Sequence, residues 1–286
     1  MESKSFIKYA GGKTQLLPEI HSRLPTNFSS MKTYVEPFLG GGSVFFSLDT
    51  EKFDQCILIE KNKNLCTCFN TIKNKVNLLI EELENLSISY KASEDPEKFF
   101  YDKRIQYNET SDDFTKSCLL IFLNKVCFNG LFRTNKSGNF NSPWGKSINK
   151  NILDKEKLLS CHQKLQNAKI ICDDFSKCLE YSGDRSFVYL DPPYRPISKS
   201  SNFVGYTDIF DDQEQKRLKD VFDTLSKKNR SFCMLSNSDP KNTDPQDAFF
   251  DDLYKEYKID RVLARRSINS NASKRQPIYE LLIRNY

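Results

Sequence analysis

The tetrad DPPY, Asp191 to Tyr194, ends an apolar run and has the residue types of a site that binds an amino group. Asp191 contributes a carboxylate, and Tyr194 contributes an aromatic face on which a planar base can stack. Pro192 and Pro193 restrict the backbone, so the carbonyl of Pro192 points in a fixed direction. The carboxylate and this carbonyl can accept both N–H groups of one exocyclic amine, which would aim the nitrogen lone pair at an electrophile. The tetrad therefore predicts a catalytic centre for a reaction at an amino nitrogen, and a Pro-rich turn is the structural alternative.

A glycine-rich turn follows an earlier apolar run in YVEPFLGGGSVFF, where Glu36 ends the run and Gly40 to Gly42 precede a predicted helix. Glycines here let a ligand lie against bare backbone, and a helix start offers N–H groups to an anionic group. The next apolar run also ends in an acid, Glu60, and an acid at the tip of a second strand commonly holds ribose hydroxyls in nucleoside-binding α/β folds. The spacing is not G-x-G-x-x-G, and a tight strand-to-helix turn is the alternative.

The N-terminal stretch KYAGGKT, residues 8–14, has the Gly-Lys-Thr ending of a phosphate-binding P-loop. That motif needs a further glycine at position 7, after a buried strand, and the residue there is Ile7. The preceding residues are too few and too polar to form such a strand. A P-loop is therefore excluded, and on this motif alone a turn before a helix over residues 14–24 is an equally good interpretation.

Five short apolar runs bounded by turns or helix starts predict buried strands. They lie near Val35, at Cys56–Glu60, at Lys169–Cys172, up to Asp191 and near Met234. Helical stretches between such strands indicate an α/β fold with a mostly parallel sheet covered on both faces. The C-terminal runs KIDRVLARRS and IYELLIRNY predict an antiparallel hairpin at the sheet edge, which gives seven strands in all.

The alternation of strands and helices is interrupted between Glu60 and Lys169 by a long helical segment. Its apolar helix KSCLLIFLNKVCF continues into NGLFRTNKSGNFNSPWGK, where K-S-G-N predicts the turn of a β-hairpin. We therefore expect a catalytic domain formed by residues 1–64 and 165–286, with a second domain of residues 65–164 inserted into it.

Composition excludes some classes of protein. No run approaches the roughly 18 apolar residues of a membrane span, and no signal peptide is evident, so we expect a cytoplasmic protein that binds no membrane. Nine cysteines without a CxxC pair and only two histidines predict reduced thiols and no metal site. The net charge is only +5, but basic residues crowd two segments, which suits either a polyanion bound on one face or ordinary solvated surface.

In their order, KYAGGK, EPFLGGGSVFF and DPPY resemble the Dam-type DNA adenine-N6 methyltransferases, the D12 class of the alpha group, from Phe6 to Tyr286. The resemblance implies a Rossmann-like methyltransferase fold, S-adenosylmethionine as cofactor and a target-recognition domain inserted before DPPY. Two of the implied cofactor residues depart from the family pattern, Tyr9 where Trp is usual and Glu60 where Asp is frequent. The cofactor contacts implied are Tyr9, Lys13, Glu36, Phe38, Gly40, Glu60, Asp174, Phe175 and Asp191.

The segment NGLFRTNKSGNFNSPWGK is similar to the recognition hairpin of family members that read GATC. Arg133 would then contact a guanine with two hydrogen bonds. Lys146 stands where Arg is frequent, Ser147 stands where Tyr is frequent, and the RRSINSN segment from Arg265 would lie near the DNA backbone. The DNA contacts implied are Lys8, Phe128, Leu131, Arg133, Asn141, Pro143 and Lys146.

The expected reaction is transfer of a methyl group from S-adenosylmethionine to N6 of an adenine flipped out of double-stranded DNA. No cysteine follows a proline, so the nucleophile of cytosine-C5 enzymes is absent and direct attack by the amino nitrogen is expected. The alternatives are cytosine-N4 or RNA amino methylation, and a catalytically inactive DNA-binding regulator. A cognate restriction endonuclease is a functional partner that the resemblance allows, and the oligomeric state is left open.

Overall fold

A computed structural model describes residues 4–135, 137–195, 210–264 and 278–286. Seven strands in these ranges form one sheet in the order β3-β2-β1-β4-β5-β7-β6. Neighbouring strands from β3 to β5 are parallel, and β7 is antiparallel to both β5 and β6. The mostly parallel sheet and its C-terminal hairpin are therefore confirmed. The strands are β1 Thr33–Glu36, β2 Gln55–Glu60, β3 Ala168–Cys172, β4 Ser186–Leu190, β5 Phe232–Ser238, β6 Lys258–Ala264 and β7 Ile278–Arg284.

The register of the central strands determines where the predicted acids lie. In β1 and β4, Val35 is paired with Val188, and in β1 and β2, Glu36 is paired with Leu58. The carboxyl ends of these three parallel strands therefore meet at one edge of the sheet, where ligands bind in open α/β sheets. Every residue of β4 is buried, as expected for a central strand covered on both faces.

Helices cover both faces of the sheet. The helix predicted over residues 14–24 is limited to five residues, because Pro18 has no N–H and favours the first turn, while residues 13–16 form only a hydrogen-bonded turn. The helices of the described residues are α1 Leu17–His21, α2 Ser43–Ser47, α3 Lys63–Ala92, α4 Pro96–Glu109, α5 Asp113–Val126, α6 Lys155–Leu165, α7 Asp212–Asp223 and α8 Phe249–Leu253.

Two apolar cores lie on opposite faces of the sheet. One joins Tyr34 and Tyr189 of the sheet to buried side chains of α3, α5 and α6, and the other joins Val35 and Val188 to α7. The apolar side chains of α7, Leu218, Val221 and Phe222, are buried against the sheet on one face of the helix. The helices between β2 and β3 thus share a continuous core with the sheet and are fixed against it, while their division into a separate domain stays a prediction.

Residues 127–145, called the ribbon below, contain the predicted hairpin turn. The backbone N–H of Asn141 donates to the carbonyl of Arg133 at 3.0 Å, and Gly138 adopts a φ of +78° in the turn. The two limbs are joined by isolated bridges, at Cys127 with Trp144 and at Thr134 with Phe140, and not by regular strands among the described residues. One reason is composition, since Pro143 has no N–H to donate to a regular ladder.

The described helices include none that could cross a membrane, since even α3, with 30 residues, is not apolar enough.

The end of the ribbon approaches the end of α5 so closely that only glycine fits at position 145. The N–H of Gly145 donates to the carbonyl of Val126 at 3.0 Å, and a Cβ on Gly145 would lie 2.5 Å from that oxygen. We expect Gly145→Ala to lower the free energy of unfolding by about 1–3 kcal/mol, because backbone must move to make room. Urea unfolding measured by circular dichroism checks this.

The matched control is Gly183→Ala, since a Cβ on Gly183 would meet no atom within 4 Å. This substitution should change the free energy of unfolding by no more than about 0.5 kcal/mol. Equal effects of the two substitutions would contradict the close approach of the ribbon to α5.

Candidate active site

The KYAGGKT and DPPY motifs meet at the carboxyl edge of the sheet through an ion pair. Lys13 Nζ lies 2.7 Å from Asp191 Oδ1, and the Lys13 side chain is 5% exposed. Ser236 of β5 donates to the same carboxylate oxygen at 2.9 Å. Burial raises the pKa of Asp191, and Lys13 opposes this by favouring the charged carboxylate. The ion pair therefore keeps a partly buried carboxylate available as a hydrogen-bond acceptor.

The ammonium of Lys13 occupies the kind of position that the tetrad predicts for an amino group. Besides its contact with Asp191, it lies 4.5 Å from the ring centroid of Tyr194 and donates to the carbonyl of Gly11 at 2.6 Å. A nitrogen donor is thus held by the carboxylate and over the aromatic ring at once. The contacts of Lys13 and Ser236 use only Oδ1, and the tetrad can offer Oδ2 to another donor.

The backbone and ring of the tetrad are fixed by two other elements. The Tyr194 hydroxyl donates to Glu280 Oε2 on β7 at 2.5 Å, and Gln215 of α7, which is fully buried, donates from Nε2 to the carbonyl of Pro193 at 3.2 Å. Burial raises the pKa of Glu280. Sequence reasoning missed Glu280 and Gln215, although an acid within the apolar run IYELLIRNY was a signal that could have been used.

Glu36 lies at the end of β1 and is almost completely buried. It accepts hydrogen bonds from the Tyr34 hydroxyl at 2.7 Å and from the backbone N–H of Phe45 in α2 at 3.1 Å. Burial raises its pKa to about 8, although both hydrogen bonds favour the charged form. The Glu36 side chain thereby joins the end of β1 to the first turn of α2.

Glu60 holds the glycine turn from the neighbouring strand. Its two carboxylate oxygens accept from the backbone N–H groups of Gly40 and Asn62, each at 2.8 Å. Burial raises its pKa. These bonds make Glu60 a support of the turn; its predicted contact with a ribose stays a prediction.

Tyr9 lies directly against the glycine turn. A Cβ on Gly40 would be 3.3 Å from Tyr9 Cδ1, and a Cβ on Gly41 would be 3.1 Å from Tyr9 Cβ. The backbone at Gly40 also has a φ of +49°, which favours glycine. On its other side, the Tyr9 ring is 6.1 Å from the ring of Phe132 in the ribbon. Tyr9 therefore lies between the glycine turn and the ribbon.

An aromatic cluster flanked by an arginine lies beyond the ends of β1 and β3. The rings of Phe38 and Phe175 stack with centroids 5.0 Å apart, and Phe210 packs against both. Arg217 of α7 lies 4.0 Å over the Phe175 ring and binds both oxygens of Asp174, at 2.8 and 2.9 Å. This guanidinium holds the pKa of Asp174 well below its usual range. Because Phe38 and Phe175 are in direct contact, a base would stack on the cluster and not between those two rings.

The predicted DNA-binding residues lie on and beside the ribbon. Phe128 is unusually exposed for an apolar side chain, at 52%, whereas Leu131 is buried at 8%. The side chain of Lys8 runs along the start of the ribbon, since a Cβ on Gly130 would be 3.2 Å from Lys8 Cδ. The predicted segment from Arg265 lies outside the described residues. The other predicted residues are exposed, namely Lys8, Arg133, Asn141, Pro143 and Lys146.

The cysteines form no part of this site. All nine lie within the described residues as free thiols, and Cys172 at the end of β3 is the exposed one. In the same ranges, no group of three His, Cys, Asp or Glu side chains is arranged to hold a metal ion.

Known proteins match this chain along its length. The model of the D12 class N6 adenine-specific DNA methyltransferase family matches residues 9–268. A type II methyltransferase of Methanocaldococcus jannaschii is 42% identical over 296 residues, covering 100% of both chains. The DNA adenine methylase of Haemophilus influenzae is 32% identical, covering 99% of this chain and 93% of that protein, and that of Escherichia coli is 32% identical, covering 98% and 95%. The matches thus include the sheet, the inserted helices and both motifs.

The raised pKa of Glu36 predicts a pH dependence of stability. The pKa of Glu36 in the folded protein is about 8, above its ordinary value of 4.5. Between about pH 4.5 and pH 8, the folded protein therefore keeps a proton on Glu36 that the unfolded chain has released. The stability that this proton confers is complete below the unfolded pKa and is lost as the pH rises towards about 8. Relative to Glu36→Gln, the wild-type protein should lose on the order of 2 kcal/mol of unfolding free energy between about pH 6 and pH 8.

Urea unfolding of both proteins at the two pH values measures this difference. The pH dependence that arises from other titratable groups is common to both proteins and cancels in the comparison. If the difference in unfolding free energy between wild type and variant were the same at both pH values, Glu36 would be ionised in the folded protein throughout this range.

Proposed function

We propose a methyl donor, the state of the target base and a recognition sequence for this chain. The chain belongs to the D12 class N6 adenine-specific DNA methyltransferase family. The chain is thus an enzyme that methylates adenine N6 in DNA, and the resemblance found in its motifs is confirmed at that level. The finer proposal is that S-adenosylmethionine is the donor, that the adenine is flipped out of the duplex, and that the recognition sequence is GATC.

The residues at the carboxyl edge of the sheet fit S-adenosylmethionine. Such a ligand presents an adenine, a ribose and a charged methionine end, and its sulfonium supplies the methyl group. The cluster of Phe38 and Phe175 offers an apolar face for the adenine, and Asp174 lies beside it. Glu60 is at the tip of β2, where ribose hydroxyls are commonly held. The glycine turn against Tyr9 leaves backbone without side chains at the methionine end, and the proposed contacts there are Tyr9, Lys13, Glu36 and Gly40.

The observation that carries the proposed chemistry is the position of the Lys13 ammonium at DPPY. It shows that this site accepts a nitrogen donor beside Asp191 and over the Tyr194 ring. We assign N6 of the target adenine to a position beside this ammonium, with Asp191 Oδ2 and the Pro192 carbonyl as acceptors. As the nitrogen gains a methyl group it must lose one proton, and the Asp191 carboxylate is the acceptor that we assign to it. Since a base within a duplex cannot reach this site, flipping is required, at a cost of a few kcal/mol.

The inserted segment of residues 65–164 is proposed as the target-recognition domain. Its ribbon exposes basic and apolar side chains, Arg133 and Phe128 among them, next to Lys8. An exposed arginine on such a ribbon can form two hydrogen bonds to a guanine in the major groove. GATC itself rests on the resemblance of the ribbon sequence. One relative is named a type II methyltransferase and others DNA adenine methylases, and pairing with an endonuclease stays a prediction.

We expect Asp191→Ala to lower the rate of methyl transfer by at least about 10²–10³-fold, because the amine loses its charged acceptor. Binding of S-adenosylmethionine should weaken much less. Transfer of a radiolabelled methyl group to a GATC duplex and calorimetric titration of the cofactor measure the two effects. The control is Asp54→Ala, which removes an exposed aspartate whose partner is Lys32. An active Asp191→Ala enzyme would refute the role assigned to the tetrad.

We expect Arg133→Ala to cost about 1–3 kcal/mol in binding to GATC and to relax discrimination at one base position. Binding to duplexes with single substitutions in GATC, measured at fixed salt, checks this. Lys150→Ala, which removes another exposed basic residue of the same segment, should instead weaken binding to all duplexes equally. If Arg133→Ala also weakened all of them equally, Arg133 would be a phosphate contact.

A further inference from the structure

Asn124, near the end of α5, connects three segments of the chain through its side-chain amide. The residue is 1% exposed. Its Oδ1 accepts from the backbone N–H of Lys8 at 3.0 Å, and its Nδ2 donates to the carbonyl of Lys8 at 2.9 Å and to that of Gly130 at 3.0 Å. The amide therefore pairs with both backbone groups of Lys8, as a neighbouring strand would, and uses its second N–H to hold the start of the ribbon.

The junction is also tightly packed. Gly130 has a φ of +64°, and a Cβ there would lie 3.2 Å from Lys8 Cδ and 3.3 Å from the carbonyl oxygen of Asn124. Neither segment can shift relative to the other without breaking a buried hydrogen bond, and an unpaired buried polar group is unfavourable. The backbone at residue 8 and the start of the ribbon are consequently fixed as one unit.

The two segments that Asn124 joins carry different proposed ligand contacts. Tyr9 follows Lys8 directly and lies on the glycine turn proposed for the cofactor. Gly130 precedes the ribbon proposed for DNA, and the Lys8 side chain runs beside it. Because the two segments are held as one unit, a displacement that either ligand imposes on its own segment is carried to the other, and the second ligand then meets a segment already in place.

We propose that Asn124 is a positioning residue that couples cofactor binding to DNA binding. The inference rests on the proposed function, since it takes S-adenosylmethionine to bind at Tyr9 and DNA to bind at the ribbon. Bound cofactor should raise the affinity for DNA, and by thermodynamic linkage bound DNA should raise the affinity for cofactor by the same factor. Without the amide of Asn124, both ligands should still bind, but nearly independently.

The chain contains a matched control in Asn108 of α4. Its Oδ1 accepts from the backbone N–H of Phe140 at 2.9 Å, and its Nδ2 donates to the carbonyl of Phe140 at 3.2 Å. This amide makes the same paired contact with a single ribbon residue, but on the other limb and without contact to residue 8. Removing it perturbs the ribbon and leaves the connection to the cofactor motif intact.

The experiment measures the dissociation constant of a GATC duplex by fluorescence anisotropy, with and without saturating S-adenosylhomocysteine, which cannot transfer a methyl group. Calorimetry then measures S-adenosylhomocysteine with and without the duplex. In the wild-type enzyme we expect the two ratios to agree at about fivefold or more. Asn124→Ala should bring both ratios close to one, whereas Asn108→Ala should weaken DNA binding and keep the wild-type ratios.

A second variant tests the junction if Asn124→Ala does not fold. Gly130→Ala keeps the Asn124 side chain but strains a backbone with a φ of +64° and crowds both Lys8 and the Asn124 carbonyl, so it should also lower both ratios. The inference would be overturned if both junction variants kept the wild-type ratios. It would also be overturned if Asn108→Ala lowered the two ratios as much as Asn124→Ala does. A wild-type enzyme that binds both ligands without coupling would overturn it too, and this outcome leaves the proposed function intact. A wild-type enzyme that does not bind S-adenosylhomocysteine would contradict the proposed cofactor instead.

Discussion

The contact between Lys13 and Asp191 is the interaction on which the rest of the site depends. A carboxylate in this position is unfavourable without a partner, because burial removes its hydration, and the same holds for an ammonium that is 5% exposed. Each group therefore requires the other, and together they hold the N-terminal motif against the end of β4. Glu36, which is buried, and Glu280, which is partly buried, add two more carboxyl groups to the environment of the same lysine. Burial favours the neutral form of both, so a single cation does not have to balance three full negative charges.

Sequence patterns predicted the strands of the sheet and the acidic residues that end three of them. The geometry of a parallel sheet explains why these residues lie close together. Parallel strands bring their carboxyl ends to one edge, so Glu36, Glu60 and Asp191 could be placed together from their positions at the ends of apolar runs. The helix near the N-terminus was predicted too long, because apolar spacing continued on both sides of a proline that limits the helical turn.

The partners that orient these residues could not be predicted in the same way. Arg217, Glu280 and Asn124 each act on a residue far away along the chain, through contacts that exist only after the sheet and helices have packed. Local patterns identify Arg217 only as a charge on the polar side of an amphipathic helix, and Asn124 only as a polar residue within an apolar one. The ribbon, too, could be predicted only in part from its local sequence. Its turn was evident from Gly and Asn, whereas the two isolated bridges between its limbs and the close contact of Gly145 with α5 were not.

The distribution of the nine thiols gives this enzyme an intrinsic attachment point for a spectroscopic probe. Eight are buried, so a maleimide dye added to the folded protein would react chiefly with Cys172. That residue ends β3, is paired with Glu60 in the sheet, and precedes Asp174 by two positions. A fluorophore there would lie beside the proposed nucleoside site without any cysteine having to be replaced, and a change in its emission on adding a nucleoside ligand would report binding in real time.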